Sequence, residues 1–399
     1  MSDTIWTIVT VLLVAAALPF LLSTTYLAFL SLFSGRLSDA AGDQTTRFDI
    51  LVPAHNESAG IGKTVASLRA MDYPTELYRI LVIADNCTDD TAERAQDAGA
   101  VVLVRQNAQQ RGKGYALAHG YAASLGEGFA SAVVVVDADT SVSGNLLSAF
   151  SARFAAGADA VQAEHGVRNA DDSWRTRLMV IAYALYHTLR SNARERLKLS
   201  CGLRGNGMGF SSELLRRVPP RAFSVVEDIE YGITLGLAGT RVMYVHEAEV
   251  RGDMPVSSEA SAPQRARWEG GRTELIRQHV GPLWRASSGA TRGLQLDLAA
   301  DLLVPPLTTV TLWVTVGVAV TTLLVARGLV PVVTVVPWAA AFVMLVMYVV
   351  RGAMLAPKGL RTLVDLMWAP AFALWKVTLL LRPNRNKGEW VRTTRSDEI

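Results

Sequence analysis

Ser131-Ala132-Val133-Val134-Val135-Val136-Asp137-Ala138-Asp139 is the stretch that decides the fold. A half-exposed sheet alternates apolar and polar residues, so four consecutive valines read as a strand buried on both faces. Two carboxylates follow at once. The segments before it repeat the pattern. Phe48–Pro53, Tyr78–Ala84 and Ala100–Arg105 read as strands, and Lys63–Ala70, Thr88–Ala98 and Gly112–Leu125 as the helices between them. This alternation predicts an α/β domain whose mostly parallel sheet is covered by helices on both sides. Ligands of such sheets lie outside the carboxyl ends of the strands. Asn56 and Glu57, Asp85, and the pair Asp137 and Asp139 all follow strands directly and are expected on one rim.

Half of the 399 residues are hydrophobic, and they gather at the two ends of the chain. Thr4–Gly35 carries no charge, and about 20 apolar residues cross a hydrocarbon core. The start, Met1-Ser2-Asp3, lacks the basic residues of a signal peptide and the run is too long for one, so a retained transmembrane helix is expected. Leu302–Ala326 and Val330–Val350, separated by Arg327-Gly328 and Pro331, read as a transmembrane hairpin. Leu363–Leu381, interrupted by Asp365, Pro370 and Lys376, reads as an interfacial helix. The expected division is residues 1–46 as first span and linker, 47–285 as the central domain, and 286–399 as a membrane region ending in a basic tail. Arg36 and Arg47 after the first span, and Arg351, Lys358 and Arg361 after the third, outweigh Arg327 in the hairpin turn, which places the central domain in the cytoplasm.

The net charge of +3 gives no argument for nucleic acid. Two basic clusters suit an anionic membrane surface: Arg382, Arg385, Lys387, Arg392 and Arg395 in the tail, and Arg190, Arg194, Arg196 and Lys198. The second set reads equally as a solvated face. Trp174–Leu199, with Trp174, Leu178, Ile181, Leu185 and Leu189 on one side, reads as a second interfacial helix. Cys87 and Cys201 are too few for a zinc site or a disulfide framework.

Asp137 and Asp139 make a hard oxygen site for Mg²⁺ or Mn²⁺ that bridges substrate phosphates, or else an ordinary acidic loop. Asp85 can hydrogen-bond a nucleobase or ribose edge, or simply form a turn with Asn86. Lys113, in Arg111-Gly112-Lys113-Gly114, supplies a point charge for phosphate or lies in solvent. Gly205-Asn206-Gly207-Met208-Gly209 offers either flexible backbone beside a substrate or a tight turn. Glu227 and Asp228 begin the helix expected over Asp228–Ala238 and serve as a general base or as its cap. In Gln264-Arg265-Ala266-Arg267-Trp268, Arg267 can clamp a diphosphate and Trp268 can face a sugar ring; the alternative is an ordinary amphipathic helix.

Taken in order, Pro53-x-x-Asn56-Glu57, Asp85, Asp137-Ala138-Asp139, Glu227-Asp228 and Gln264-x-x-Arg267-Trp268 resemble the family 2 glycosyltransferases, in the branch with cellulose, hyaluronan and chitin synthases and ceramide glucosyltransferase. The resemblance spans Phe48–Arg285 and implies a GT-A fold, a UDP-sugar donor, a divalent cation and inversion at the anomeric carbon. It implies that Pro53, Asn56, Glu57 and Asp85 hold the nucleobase, and that Asp137 contacts the donor while Asp139 ligates the metal directly. It further implies that Asp228 is the base beside Glu227, and that Gln264, Arg267 and Trp268 line the diphosphate and acceptor sites, with Asn206 and Gly207 on the acceptor side. Val226 stands where many relatives have threonine. Three spans leave little wall for a polymer channel unless protomers combine as an oligomer. The expected acceptor is therefore a lipid, lipid-linked or glycan molecule among membrane lipids, in exopolysaccharide or glycolipid assembly. A short-chain processive synthase and a non-catalytic membrane scaffold are the alternatives.

Overall fold

The structure, a computed structural model, describes residues 3–35, 37–40 and 42–372, and of residues 258–269 the backbone only. The strands are β1 (Phe48–Ala54), β2 (Tyr78–Asp85), β3 (Val101–Arg105), β4 (Ala132–Val135), β5 (Ser141–Val142), β6 (Ala160–Val167), β7 (Met208–Ser211) and β8 (Val242–Gly252). Among the described residues they form one sheet in the order β3-β2-β1-β4-β7-β6-β8-β5. β1 to β4 pair in parallel. β7 runs against β4 and β6, and β5 against β8, while β8 is parallel to β6. The mostly parallel sheet expected from the sequence is present, with β5 and β7 reversed.

The helices are α1 (Asp3–Phe33), α2 (Ile61–Arg69), α3 (Thr91–Asp97), α4 (Lys113–Glu127), α5 (Leu146–Ala155), α6 (Trp174–Tyr183), α7 (Arg190–Arg196), α8 (Ser212–Arg217), α9 (Glu227–Leu237), α10 (Ser258–Ala286), α11 (Arg292–Leu303), α12 (Leu307–Ala326) and α13 (Val336–Leu355). A π-helical turn, Ala184–Leu189, joins α6 to α7. The strand period of two explains the layering. Ile50, Val52 and Val134 point to one face, against Val65 of α2, Ala95 of α3 and Phe150 of α5. Leu51, Ile83, Val133 and Val135 point to the other, against Leu117 and Tyr121 of α4, Leu214 of α8 and Leu235 of α9. Each large apolar side chain so buried stabilises the fold by roughly 1.5–3 kcal/mol.

Among the described residues three helices are long and apolar enough to cross a membrane: Thr4–Phe33, Leu307–Ala326 and Val332–Leu355. The apolar block read from Leu302 is split at Pro305-Pro306. Proline lacks an N–H and its ring strikes the preceding turn, so Leu302 falls in the last turn of α11 and is buried with Leu275 and Leu283 of α10. After α13 the chain takes a 3-10 turn over Gly359–Trp368, with Leu360, Val364 and Met367 turned outward. The rest of the expected interfacial helix and the basic tail fall in 373–399, outside the described residues.

Trp174–Leu199 departs from its reading. Ile181, Leu185 and Leu189 do not face lipid; they are buried against Leu27 and Leu30 of α1 and Tyr348 of α13. Nor do Arg190 and Arg194 meet an anionic surface. Arg194 is 1% exposed and donates to Asp297 at 2.8 Å and to the Tyr26 hydroxyl at 2.6 Å, with Asp301 also at 2.8 Å. Arg190 donates to Asp301 and the Tyr348 hydroxyl at 2.8 and 2.9 Å. Residues four apart share a helix face, so Arg190 and Arg194 on α7 match Asp297 and Asp301 on α11.

Candidate active site

The chain leaves β1 for β2 and β3 on one side and returns to β4 on the other, so the crevice between β1 and β4 is a topological switch point. Four charged side chains meet there from three parts of the chain: α4, the loop after β4 and α9. Lys113, the first residue of α4, has its ammonium ion-paired with the Asp137 carboxylate and donates to the carbonyl of Gly205. It lies 3.9 Å from Glu227. Glu227 and Asp228 open α9. A Cβ on Gly205 would lie 3.3 Å from Asp228 Oδ2 and 3.7 Å from Lys113 Nζ, and Gly205 has φ +79. Glycine therefore supplies both the left-handed turn and the room for these two side chains.

Enclosure raises Glu227 to about 7 and lifts Asp228 from its ordinary value; the Lys113 ammonium pulls the other way without cancelling it. For Lys113 itself burial opposes the charge, but Asp137 and Glu227 outweigh it, and the ammonium is held more firmly than usual. Fixed cation and poised acids are the combination a proton-transfer site needs. The Asp137 side chain is 35% exposed against 14% for Glu227, so Asp137 is the one presented to the cleft.

Asn206 differs from its expected place at an acceptor. It is buried; its Oδ1 accepts from the Asp137 N–H at 3.1 Å and its Nδ2 donates to Thr140 Oγ1 at 2.7 Å. Both ends of its amide brace the Asp137–Thr140 loop. Gly207, with φ +67, lies where a Cβ would come within 2.8 Å of Val250 Cγ2, so it too is enclosed by protein. Among the described residues no group of three or more His, Cys, Asp and Glu is placed to hold a metal ion. Asp137 and Asp139 supply hard oxygen donors of the type Mg²⁺ and Mn²⁺ prefer, ions that usually complete their shell with phosphate oxygens and water. The pair fits such an ion on those terms.

On the neighbouring rim Asp85 is engaged by Arg105 at 2.5 Å, its partner in the β2–β3 register. Asn56 (φ 55) accepts at Oδ1 from the Thr88 N–H at 2.8 Å, and the Glu57 N–H donates to Thr91 Oγ1 at 2.8 Å. These residues build the loop after β1, whose last two strand residues are Pro53 and Ala54. Tyr115 stacks on Phe223 at 4.5 Å and lies under Arg105. Arg105, Tyr115 and Phe223 were not singled out from the sequence; strand register alone could have paired Arg105 with Asp85. Gln264, Arg267 and Trp268 lie on α10, and their side chains fall outside the described residues.

Glu164 on β6 accepts from Thr188 Oγ1 at 2.7 Å, and burial raises its pKa from 4.5 to about 8. The folded state therefore holds a proton that the unfolded chain has released. This stabilisation is complete below pH 4.5 and is lost as pH rises through about 8. Glutamine stays neutral throughout. Glu164→Gln is expected to melt like the wild type at pH 4.5 and several degrees higher at pH 8.5, by scanning fluorimetry; equal melting at both values contradicts the assignment.

A sequence model described as "Glycosyltransferase like family 2" matches residues 46–271. A beta-monoglucosyldiacylglycerol synthase of Nostoc sp. is 28% identical over 230 residues, 56% of this chain and 48% of that protein. A glycosyltransferase of Mycobacterium tuberculosis is 31% identical over 213 residues, 49% of this chain and 88% of that one. The chain thus spans about half the length of the Nostoc synthase. Among solved structures, a mannosyltransferase from Pyrobaculum calidifontis in complex with GDP-Man and Mn²⁺ superposes with TM-score 0.56 at 17% identity, over 94% of this chain and 95% of that one. That likeness shows the fold, the GT-A architecture.

Proposed function

Because this chain belongs to glycosyltransferase-like family 2, we propose that it moves a sugar from a UDP-sugar to a lipid, lipid-linked or glycan acceptor. The proposed setting is the cytoplasmic face of the inner (plasma) membrane, in glycolipid or exopolysaccharide assembly. The observation that carries this reading is the meeting of Lys113, Asp137, Glu227 and Asp228 at the β1/β4 switch point. The name of the Nostoc relative supports the glycolipid direction, and the three apolar helices support a membrane seat.

Asp228 takes the proton from an acceptor hydroxyl, and the freed oxygen attacks the anomeric carbon opposite the diphosphate. The configuration inverts as the nucleoside diphosphate leaves. Glu227 and Lys113 set the charge around Asp228. Asp139 and Asp137 are the residues that would hold Mg²⁺ or Mn²⁺, an ion that would supply Lewis-acid stabilisation of a leaving diphosphate. Asp85 and the segment Pro53–Glu57 border the nucleobase, and the roles proposed for Gln264, Arg267 and Trp268 are diphosphate and acceptor binding.

The test is a panel of UDP-sugars with Mg²⁺ or Mn²⁺, scored by UDP release from the full chain in native membranes. One donor should release UDP and label an organic-extractable product. Ethanol-precipitable label would move the acceptor to a polymer. Silence with every common UDP-sugar would sink the transferase reading.

A further inference from the structure

A second polar cluster lies against the reaction centre, and the mechanism above uses none of it. His165 on β6 and His187 in the π-turn lie with ring centroids 5.2 Å apart. Tyr183 is edge-on to both, at 5.1 and 4.5 Å. The Arg204 guanidinium sits 4.2 Å over the ring of Tyr186. Each histidine is 9% exposed, and the Nδ1 of each, like Nε of Arg204, has no hydrogen-bond partner among the described residues. A buried polar group left without a partner is destabilising. Three in one cluster call for a reason.

Two backbone irregularities aim these side chains. β8 carries three extra residues, His246 to Ala248, between the partners of Ala163 and Glu164, which shifts the register just before Glu164, the neighbour of His165. The π-turn likewise breaks the helical repeat at Tyr186 and His187. Such interruptions recur where a side chain is redirected toward a site. The cluster also borders the reaction centre electrostatically: His165 senses Asp139 and Lys113, and Asp228 senses Arg204.

The chemistry of the wall selects its ligand. Burial holds the His165 imidazole down at about 4 and keeps His187 well below its ordinary value, while Glu164 is protonated at neutral pH. Arg204 is the cation of the group, and it has Asp228 and Asp301 in its field. A phosphate only accepts hydrogen bonds and favours several cations. A neutral imidazole both donates and accepts, as a hydroxyl does.

We propose that His165 and His187 form the acceptor-headgroup subsite, hydrogen-bonding the hydroxyls of a sugar or polyol. This assignment rests on the transferase reading, since it names the acceptor class of that site. The test is saturation-transfer NMR on the full chain in nanodiscs, with methyl β-D-glucoside and inorganic phosphate as probes and UDP as the donor-side control. The wild type should give a glucoside signal. His165→Phe and His187→Phe, which keep the ring and lose its nitrogens, should weaken that signal about fivefold or more while UDP still binds. His187→Asn, which restores a donor and an acceptor, should keep more of it than His187→Phe. The proposal fails if the wild type gives no glucoside signal or if both phenylalanine variants retain it. It also fails if those variants lose UDP in parallel, or if phosphate is the probe whose signal they abolish. Absence of UDP binding in the wild type counts instead against the transferase reading, so the two failures are told apart.

Discussion

Asp228→Asn is expected to bind UDP as the wild type does and to lose about 10²- to 10⁴-fold in kcat, the usual share of a general base. Asparagine keeps the shape beside Gly205 and cannot take a proton. It also removes an acid whose charge its enclosure opposes, so the variant should melt no lower than the wild type, which excludes a collapsed site as the cause. A pH dependence follows from the same enclosure. The base works deprotonated, and enclosure raises its pKa, so activity is lost on acidification at a higher pH than an exposed aspartate would give. Full transfer by the asparagine variant, or activity that does not fall on acidification, would take the role from Asp228.

How far the sequence could be read depended on whether a residue's meaning is local. Val133–Val136 needed only the strand period to be placed between two helical layers, and the positions of Asp137 and Asp139 on the rim followed. Glu227 and Asp228 were likewise assigned to a helix start, where the structure puts them. Residues whose role depends on a distant partner were read less well. A guanidinium on a helix suits a lipid surface, solvent or an ion pair equally, and Arg190 and Arg194 revealed which only when α11 brought Asp297 and Asp301 beside them. Glycine density around Asn206 left flexible backbone and a tight turn equally open, and only the fold shows left-handed glycine turns that seat the Asn206 amide under the Asp137 loop. The π-turn left no trace in the apolar periodicity of Trp174–Leu189, and the histidine cluster was missed with it.

The largest loss of stability is expected from Arg194→Met. Removing one partner of a buried pair leaves the other charge unpaired in a poor solvent, at a cost of about 3–5 kcal/mol. Here Asp301 would keep Arg190, while Asp297 would be left with the Tyr26 hydroxyl. Asp297 is the pivot because it joins three elements: α1 through Tyr26, α7 through Arg194, and α11 on which it stands. The variant should therefore loosen the seat of α7 against α1 as well as lower the melting temperature. Arg194→Met combined with Asp297→Asn removes both charges and should recover part of the loss, since it is the lone carboxylate and not the missing attraction that costs most. Thermal melts of the wild type, both single variants and the double variant give the coupling directly. If Arg194→Met melts with the wild type, or the double variant melts lower than the sum of the singles, the buried network is not what joins the catalytic domain to its apolar helices. α7 also leads, through Leu199 and Cys201, into the turn that carries Gly205 against Asp228. A loosened α7 should then lower kcat as well as stability, and the double variant should restore the two together.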